Sequence, residues 1–313
     1  MASTIEARGL NKLYGNFHAI EDVNFDVKKG EILGFLGPNA AGKTTTMRIV
    51  TGFMPPSSGT VTIAGHDVIS QSLEARRLIG YLPETVPLYT DMTVTGYLHF
   101  MGTLRGMKRD KIKTRTNDVI DICKLGDYQN TFIGKLSKGF RQRVGIAQAI
   151  IHEPEVLVLD EPTIGIDPIQ VVETRKLIKD LGQEHTIILS THVLPEVSMV
   201  CQRVLIIHQG QIMAEDSPTN LAERLKGVDR IEIEAQGPTA EIMGVLRNVK
   251  GIIDVSHSSD GDNSKFSVQV RHGQDLRNEI SKAIIENGWQ LLGLQLMSMS
   301  LEDIFIQLIT KEA

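Results

Sequence analysis

The sequence predicts an α/β fold, with a mostly parallel sheet whose strands end in polar residues. Three short apolar runs support this prediction: Glu31 to Leu36, Val156 to Leu159 and Ile187 to Leu189. Strands of a parallel sheet covered on both faces are almost continuously apolar. The first run ends in a glycine-rich loop, the second at Asp160-Glu161-Pro162 and the third at Ser190-Thr191-His192. Because ligands of open α/β sheets bind outside the carboxyl ends of the strands, these three ends predict the functional site.

Length and composition indicate an ordinary globular protein of more than one domain. The chain has 313 residues, 41% of them hydrophobic and 23% charged, and domains average about 150 residues. Lys and Arg total 33 against 38 Asp and Glu, so the formal net charge is -5. Such a chain has no bulk positive field to hold a phosphate backbone, which argues against nucleic acid as the main partner.

Cysteine content and hydropathy predict the cellular compartment of the chain and its relation to a membrane. Cys123 and Cys201 lie far apart in apolar contexts, with neither a zinc-binding spacing nor a disulfide framework, which favours a reducing cytoplasm. No apolar run approaches the roughly 18 residues that span a bilayer. The first residues, Met1 to Arg8, lack the features of a signal peptide. We therefore expect the chain to reach a membrane only through a partner.

Two further regions are predicted from changes of pattern. Between Glu84 and Ser137 apolar residues recur at helical spacing and a charged stretch, Lys108 to Arg115, follows, which predicts a helical insertion at about residues 85–135. The segment Ser217 to Gly227 has Pro at a first helical position and Gly at its end. We place a domain boundary at about Gly227, with domains 1–227 and 228–313.

The C-terminal domain has the pattern of a small α+β module. Its predicted order is βαββαβ, as in ferredoxin-like domains, followed by a final helix. An Asp/Gly/Asn cluster at Ser259 to Asn263 is a hairpin signal between the two middle strands. The predicted strands are Asp229 to Ala235, Gly251 to His257, Lys265 to Arg271 and Gln290 to Leu296, and the helices are Thr239 to Val249, Gln274 to Asn287 and Leu301 to Thr310.

The glycine-rich loop matches the pattern G-x-x-x-x-G-K-[ST] from Gly37 to Thr44 and is followed by a helical stretch, Thr46 to Val50. In such a P-loop the backbone N–H groups surround phosphate oxygens, Lys43 reaches the β and γ phosphates, and the Thr44 hydroxyl ligates Mg²⁺. The predicted nucleotide-binding residues are Gly37, Pro38, Asn39, Ala40, Ala41, Gly42, Lys43, Thr44 and Thr45.

The paired acids at the end of the second run predict hydrolytic chemistry. At a strand end beside a P-loop, the Asp160 carboxylate can hold Mg²⁺ through water, and Glu161 can accept a proton from the attacking water. The alternative is that both acids only cap the turn before Pro162.

These segments together resemble the nucleotide-binding subunit of ABC transporters. The resemblance covers residues 1 to about 227 in the order of that family. It implies a P-loop ATPase domain of the ABC type that binds ATP and Mg²⁺. It is carried by the loop GPNAAGKTT, the signature-like segment Leu136 to Arg143 (LSKGFRQR), the run VLVLDEPT, Gly165-Ile166-Asp167-Pro168, and His192.

The segment LSKGF predicts an anion contact at a helix start. Ser137 offers a hydroxyl and Gly139 an exposed amide at the N-terminus of a helix, which carries a partial positive charge. A plain N-cap serine is the alternative. The resemblance implies that Ser137 and Gly139 contact the γ-phosphate of ATP held by the P-loop of a second protomer, and hence a dimer with two sandwiched nucleotides.

Three more roles are implied by the resemblance alone. Tyr14 would stack on adenine, His192 would touch the γ-phosphate, and Asp167 would act across the dimer interface. Each residue type also has an ordinary structural explanation: a core or surface tyrosine, a structural histidine, and an N-cap aspartate with Pro168 in the first helical position.

The chain departs from the family at two places. Glu84 stands where the family has a glutamine that binds Mg²⁺ and senses the membrane partner; a carboxylate can also ligate Mg²⁺, but it adds negative charge beside the phosphates. In the signature, Lys138 and Phe140 replace residues that are often Gly and Gln. Lys138 could assist a phosphate or lie on solvated surface.

The ending Ser300 to Phe305 (SLEDIF) resembles ATP-binding subunits of bacterial exporters, of the drug and antibiotic type and of the gliding-motility-associated type. This resemblance implies a homodimer that closes on ATP, moves its helical insertion and drives a separate polytopic membrane permease. Hydrolysis would reset the dimer. The chain would then lie at the cytoplasmic face of the cell membrane.

Two alternatives belong to other classes. One alternative is a soluble ABC ATPase that acts in DNA maintenance, translation or cluster assembly. Long coiled coils, or two cassettes in one chain, would mark the first two of these. The stretch from Glu84 to Ser137 is too short for such coiled coils, and the sequence has one P-loop. A regulatory module without turnover is disfavoured by Glu161. The role of the C-terminal domain stays open between ligand sensing and dimer stabilisation.

Overall fold

The computed structural model describes residues 3–225, 228–260, 263–271 and 273–297. The chain divides into two compact units between Pro218 and Thr219, and the boundary predicted at about Gly227 lies outside the described residues. In these ranges no helix combines the length and the apolarity that crossing a membrane requires.

Fourteen strands are present in the described residues. In chain order they are β1 Ser3–Tyr14, β2 Phe17–Lys28, β3 Ile32–Leu36, β4 Ser58–Ile63, β5 His66–Asp67, β6 Ile79–Leu82, β7 Val156–Asp160, β8 Thr186–Thr191, β9 Arg203–His208, β10 Gln211–Asp216, β11 Val228–Gln236, β12 Ile252–Asp260, β13 Asn263–Arg271 and β14 Gln290–Met297.

Ten α-helices lie within the same ranges. They are α1 Lys43–Val50, α2 Ser72–Arg77, α3 Val94–Leu104, α4 Arg109–Ile122, α5 Lys138–Ile150, α6 Pro168–Leu181, α7 Leu194–Val200, α8 Pro218–Leu225, α9 Thr239–Asn248 and α10 Arg277–Glu286.

A six-stranded sheet forms the centre of the first unit, in the order β10-β9-β3-β8-β7-β6. The five strands from β9 to β6 run parallel, and β10 adds an antiparallel edge. Every residue of β3, β7 and β8 is buried, as their continuous apolar runs predict for strands covered on both faces. The predicted α/β sheet is confirmed.

A second, antiparallel sheet in the order β2-β1-β4-β5 was not predicted. Its apolar side chains join the same core as those of β3, where Phe25 meets Phe35 edge to face at 5.0 Å between ring centroids. The pairing of β1 with β2 contains several register shifts. Such bulges interrupt the strict alternation by which a half-buried strand is found in sequence.

The predicted helical insertion contains α3 and α4, followed by two 3₁₀ turns at Gly126–Tyr128 and Ile133–Lys135. Helix α4 continues to Ile122, beyond the charged stretch that predicted it. Helix α1 likewise begins earlier than predicted, at Lys43, because the P-loop leads directly into its first turn.

The second unit begins in α8 and continues in the order β11-α9-β12-β13-α10-β14, which matches the predicted βαββαβ order. Its antiparallel sheet has the order β12-β13-β11-β14. Alternate residues of β11 and β13 pack with α9 and α10 in a core that includes Ile233, Phe266 and Ile284. The final helix predicted from Leu301 to Thr310 lies outside the described residues.

Candidate nucleotide-binding site

The parallel sheet brings three strand ends together at one edge. In the register of the sheet, Leu36 of β3 lies beside Thr191 of β8, and Ser190 lies beside Asp160 of β7. The glycine-rich loop, the paired acids and His192 therefore meet where the sequence placed the functional site.

The loop between β3 and α1 is wrapped around Lys43. The Lys43 Nζ donates hydrogen bonds to the carbonyl oxygens of Gly37, at 2.7 Å, and Pro38, at 3.1 Å. Gly42 has φ +106°, which L side chains rarely adopt, and a Cβ at Gly37 would collide with the backbone oxygen of Ile207. Gly42 is thus required by the backbone conformation of the turn, and Gly37 by the close approach of β9.

Asp160 ends β7 and is fully buried. Its Oδ1 accepts hydrogen bonds from Thr44 Oγ1, at 3.3 Å, and from Ser190 Oγ. Its Oδ2 is buried with no hydrogen-bond partner among the described residues. Burial raises the pKa of the Asp160 carboxyl, and the hydrogen bonds from Ser190 and Thr44 oppose that rise. One carboxylate oxygen is therefore available for a ligand in the interior of the site.

Glu161 lies in the left-handed region at φ 49°, an uncommon conformation for a residue with a side chain. Its backbone N–H donates to the carbonyl oxygen of Ser190 at 3.1 Å, which ties the turn to β8. Its carboxylate lies 3.3 Å from Lys43 Nζ and 2.9 Å from His192 Nδ1. The three predicted residues Lys43, Glu161 and His192 are thus in direct contact.

A cleft of about 350 Å³ opens beside Lys43 and Glu161. The cleft is lined by seven consecutive residues of the loop and helix α1, 39 to 45, and by Tyr14, Glu84 and Glu161, all of which were predicted site residues. The predicted residues His192 and Asp160 do not line it; His192 lines a neighbouring pocket, which shares Glu161 with the cleft. Gly37 and Pro38 lie behind the loop, where their carbonyls hold Lys43. Phe17, Ala19 and Ile164 also line the cleft and were not predicted.

The two-residue turn between β1 and β2 places Phe17 at the cleft. Tyr14 and Phe17 are direct cross-strand partners around Gly15 and Asn16. A Gly-Asn pair between two apolar runs is a recognised hairpin signal. That signal would have paired Phe17 with Tyr14 from the sequence alone. Tyr14 is 46% and Phe17 63% exposed, so both rings are accessible to a ligand.

The signature segment lies away from this cleft. Ser137 is the N-cap of α5 and accepts a hydrogen bond from the Phe140 N–H at 3.4 Å, as the capping alternative predicts. Neither Ser137 nor Gly139 lines the cleft. Gly139 was expected to present an exposed amide, but the residue is buried because the Gln170 side chain of α6 packs directly on it.

Asp167 has the predicted capping geometry. It is the N-cap of α6 and accepts a hydrogen bond from the Gln170 N–H at 3.0 Å, with Pro168 in the first helical position. The structural explanation of this pair is therefore confirmed, whereas a role across a dimer interface stays a prediction.

Residues 20–164 match the model of the ABC transporter family. The chain is 31% identical over 97% of both chains to the linearmycin resistance ATP-binding protein of Bacillus subtilis (strain 168). It is 34% identical to the bacitracin transport ATP-binding protein of Bacillus licheniformis, over 99% of this chain and 98% of that protein. The chain belongs to the ATP-binding proteins of ABC transporters.

The fold of this ABC ATPase agrees with solved structures. One described as an ATP-binding subunit of an ABC transporter superposes with a TM-score of 0.65 at 28% identity, over 71% of this chain and 93% of that one. The cbiO1 protein of Clostridium perfringens, part of an ABC transporter complex, superposes with a TM-score of 0.66 at 25% identity, over 80% of this chain and 96% of that one.

Membership of this family accounts for the residues gathered around the P-loop. The chemistry of the family is the binding and hydrolysis of ATP, and the strand ends of the first unit supply a phosphate loop, a lysine, two acids and a histidine in contact. Of the other predicted site residues, Tyr14 and Glu84 line the cleft, whereas Ser137 and Gly139 do not.

Proposed function

We propose that this ABC ATPase is the energy-supplying subunit of a bacterial exporter and that it works as a homodimer on a separate polytopic membrane permease. The support is its similarity along nearly the whole chain to proteins named for linearmycin resistance and bacitracin transport. The chain would lie at the cytoplasmic face of the membrane, held there by that permease.

The observation that carries the catalytic assignment is the contact of Glu161 with both Lys43 and His192. ATP would place its triphosphate on the backbone N–H groups of residues 39 to 45, at the N-terminus of α1, where the helix dipole favours an anion. Lys43 would turn toward the β and γ phosphates. Glu161 would accept the proton of the attacking water, and His192 would orient the γ-phosphate beside it.

Adenine would lie at the other end of the cleft, against Tyr14. Lys12 Nζ lies 5.6 Å from the centre of the Tyr14 ring, and the Tyr14 hydroxyl donates to the sulfur of Met54 at 3.3 Å. These contacts hold the ring in place. Phe17, the cross-strand partner of Tyr14, offers a second aromatic surface at the same end.

The residues present fit a Mg²⁺ ion bound with ATP. The Thr44 hydroxyl donates to Asp160 Oδ1, while Asp160 Oδ2 is buried with no partner among the described residues. Glu84 and Thr44 line the cleft. Carboxylate and hydroxyl oxygens, completed by phosphates and water, are the usual ligands of Mg²⁺ in ATPases. Thr44, Asp160 and Glu84 would hold the ion, which when bound neutralises phosphate charge as it develops during transfer.

The position of the signature segment supports a dimer. Ser137 and Gly139 do not line the cleft of their own chain, so a contact with the γ-phosphate would be made to the ATP of another copy. Two copies related by a two-fold axis would complete two identical sites.

The Glu161→Gln variant tests the catalytic and transport assignments together. We expect ATP affinity to be retained, because the phosphate loop is intact, and turnover to fall about 10²-fold to 10⁴-fold with loss of the base. The variant should therefore accumulate as an ATP-bound dimer. The measurements are ATP affinity by calorimetry, phosphate release, and size-exclusion chromatography with and without ATP.

The same variant, tagged and expressed in its native host, serves as bait in detergent-solubilised membranes. Recovery of a polytopic membrane protein is expected. Soluble partners alone would contradict the transporter proposal, and unchanged turnover would contradict the base assignment. Glu74→Gln, an exposed acid of α2 away from the cleft, is the matched control and should behave as wild type.

A further inference from the structure

A buried glutamate lies behind the catalytic contact and is used by none of the steps above. Glu196 of α7 is 3% exposed. Its Oε1 accepts a hydrogen bond from Thr163 Oγ1 at 2.5 Å, and its Oε2 accepts one from Thr191 Oγ1 at 2.8 Å. Arg175 of α6 adds an ion pair at 3.4 Å. Each carboxylate oxygen is thus bound by a threonine.

Along the chain, each threonine lies next to or near one member of the proposed catalytic pair. Thr163 follows Glu161 by two residues, and Thr191 immediately precedes His192. Thr191 Oγ1 also accepts a hydrogen bond from the Val193 N–H at 3.0 Å, which holds the turn that carries His192. Glu196 therefore connects the segment after Glu161 with the segment around His192. The Glu161–His192 contact at 2.9 Å closes the ring.

Burying the Glu196 carboxylate destabilises the fold unless all of its partners are present. A buried carboxylate must be compensated by hydrogen bonds and an opposite charge, and an apolar side chain in the same space would be at least as stable. What the carboxylate adds is directional: two hydrogen bonds of fixed geometry, one to each segment. A displacement of about 1 Å in a catalytic group can lower the rate about 100-fold. Hydrogen bonds that fix the distance between the two segments therefore support turnover.

We propose that Glu196 is a positioning residue that fixes Glu161 relative to His192 through Thr163 and Thr191, an inference that rests on the catalytic roles proposed above. Glu196 touches neither ATP nor water in this assignment. Its effect on hydrolysis passes through the two threonine hydroxyls.

The test uses isosteric removal of one hydroxyl in the full chain. Thr191→Val should lower kcat about tenfold while ATP affinity stays within about twofold, because the phosphate loop is not touched. Thr191→Ser should restore kcat, since it returns the hydroxyl. Thr163→Val should reproduce the loss from the other side, and it keeps the proposal testable if Thr191→Val does not fold. Thr174→Val is the matched control, because the Thr174 hydroxyl is buried with no partner among the described residues.

A double-mutant comparison separates positioning from a purely structural effect. If Thr191 acts through His192, Thr191→Val should cost little further turnover in a His192→Ala background, since groups that act as a unit are non-additive. An equal loss of kcat in both backgrounds, or no loss from Thr191→Val in the wild-type chain, would overturn the positioning role.

Measuring Glu161→Gln alongside these variants keeps the two proposals distinct. If Glu161→Gln retains turnover, the catalytic assignment itself is wrong. If it is inactive while Thr163→Val and Thr191→Val are normal, only the role of Glu196 is wrong.

Discussion

Adjacent acids in this ABC ATPase have different surroundings although the sequence presents them as a pair. Asp160 is fully buried at the end of β7, where burial raises the pKa of its carboxyl and the Thr44 and Ser190 hydroxyls oppose that rise. Glu161 turns away through a left-handed backbone and meets Lys43 and His192. The backbone turn between them separates the proposed metal-binding role of Asp160 from the proposed proton-accepting role of Glu161.

His152 is expected to make the free energy of unfolding pH-dependent. Burial lowers the pKa of its imidazole to about 4 from the ordinary 6.5, with the charges of Arg105, Arg115 and His185 acting in the same direction and a hydrogen bond to the Ile79 carbonyl opposing them. The pKa of His152 is lower in the folded than in the unfolded state. Its contribution to the free energy of unfolding is therefore fully present above pH 6.5 and is lost as the pH falls toward 4. We expect about 2 kcal/mol less stability at pH 5 than at pH 8 from this group.

Urea unfolding of wild type and His152→Gln at pH 8 and pH 5 measures this effect. The variant should lose less stability than wild type between the two pH values, since glutamine does not titrate. His99→Gln, at an exposed histidine of α3, should keep the wild-type pH dependence. An identical pH dependence of wild type and His152→Gln would show that His152 is not responsible.

At the scale of elements, turns and caps account for the placement of the site more than helix or strand propensity does. The Gly15-Asn16 turn sets Tyr14 opposite Phe17 at one end of the cleft. The N-caps Ser137 and Asp167 start α5 and α6 beside each other, where Gln170 packs on Gly139. These local signals are readable in the sequence, but the contact between the two helices is not.

The start of α3 provides a test of capping in the helical insertion. Thr93 is its N-cap, and the Thr93 Oγ1 accepts a hydrogen bond from the Gly96 N–H at 3.2 Å. Thr93→Ala should lower the free energy of unfolding of the first unit by about 1 kcal/mol, because one N–H of the first turn loses its partner. Urea denaturation followed by circular dichroism measures the change.

Lys108 is the matched control for this prediction. It is the N-cap of α4 and makes no side-chain capping hydrogen bond. Lys108→Ala should change stability by less than about 0.5 kcal/mol. Equal effects of the two substitutions would mean that the Thr93 hydrogen bond contributes nothing.

At the scale of the whole molecule, the two units have separate cores and the cleft belongs to the first. Every residue that lines the cleft lies between Tyr14 and Ile164. The second unit packs its own apolar residues between α9, α10 and its sheet. The first unit contains both halves of the proposed composite site, the phosphate loop and the signature segment, on different parts of its surface.

Mixing two inactive variants tests whether two copies share each site. Lys43→Ala removes the proposed phosphate contact and Ser137→Ala removes the proposed contact across the dimer, so each variant alone should be nearly inactive. In a mixed dimer one site receives both defects and the other receives none. With random pairing, phosphate release by an equal mixture should recover to about a quarter of wild type.

The control mixture combines Lys43→Ala with Glu161→Gln. Both defects lie on the same side of the composite site, so every site of the mixed dimer keeps one of them. This mixture should show no recovery. Recovery in both mixtures, or in neither, would contradict sites shared between two copies.

The predictions from sequence were strongest where chemistry depends on neighbours along the chain. The P-loop from Gly37 to Thr44, the acids at the end of a buried strand and the βαββαβ order were all readable, because tight turns and apolar runs are local patterns. The antiparallel sheet of β1, β2, β4 and β5 was missed, since bulges obscure its alternation and its partners are distant in the chain.

The residues proposed to bind phosphate and to accept a proton could be selected from the sequence, because that capacity resides in the side chains and in the turns that present them. Which of these residues come into contact depends on the pairing of distant strands. Parallel pairing of β3, β8 and β7 brings Lys43, Glu161 and His192 into contact across more than a hundred residues of chain. The same packing buries Gly139 under Gln170 and brings Glu196 within hydrogen-bond distance of Thr163 and Thr191. Such contacts depend on how strands and helices assemble around a common core, and no local pattern encodes them.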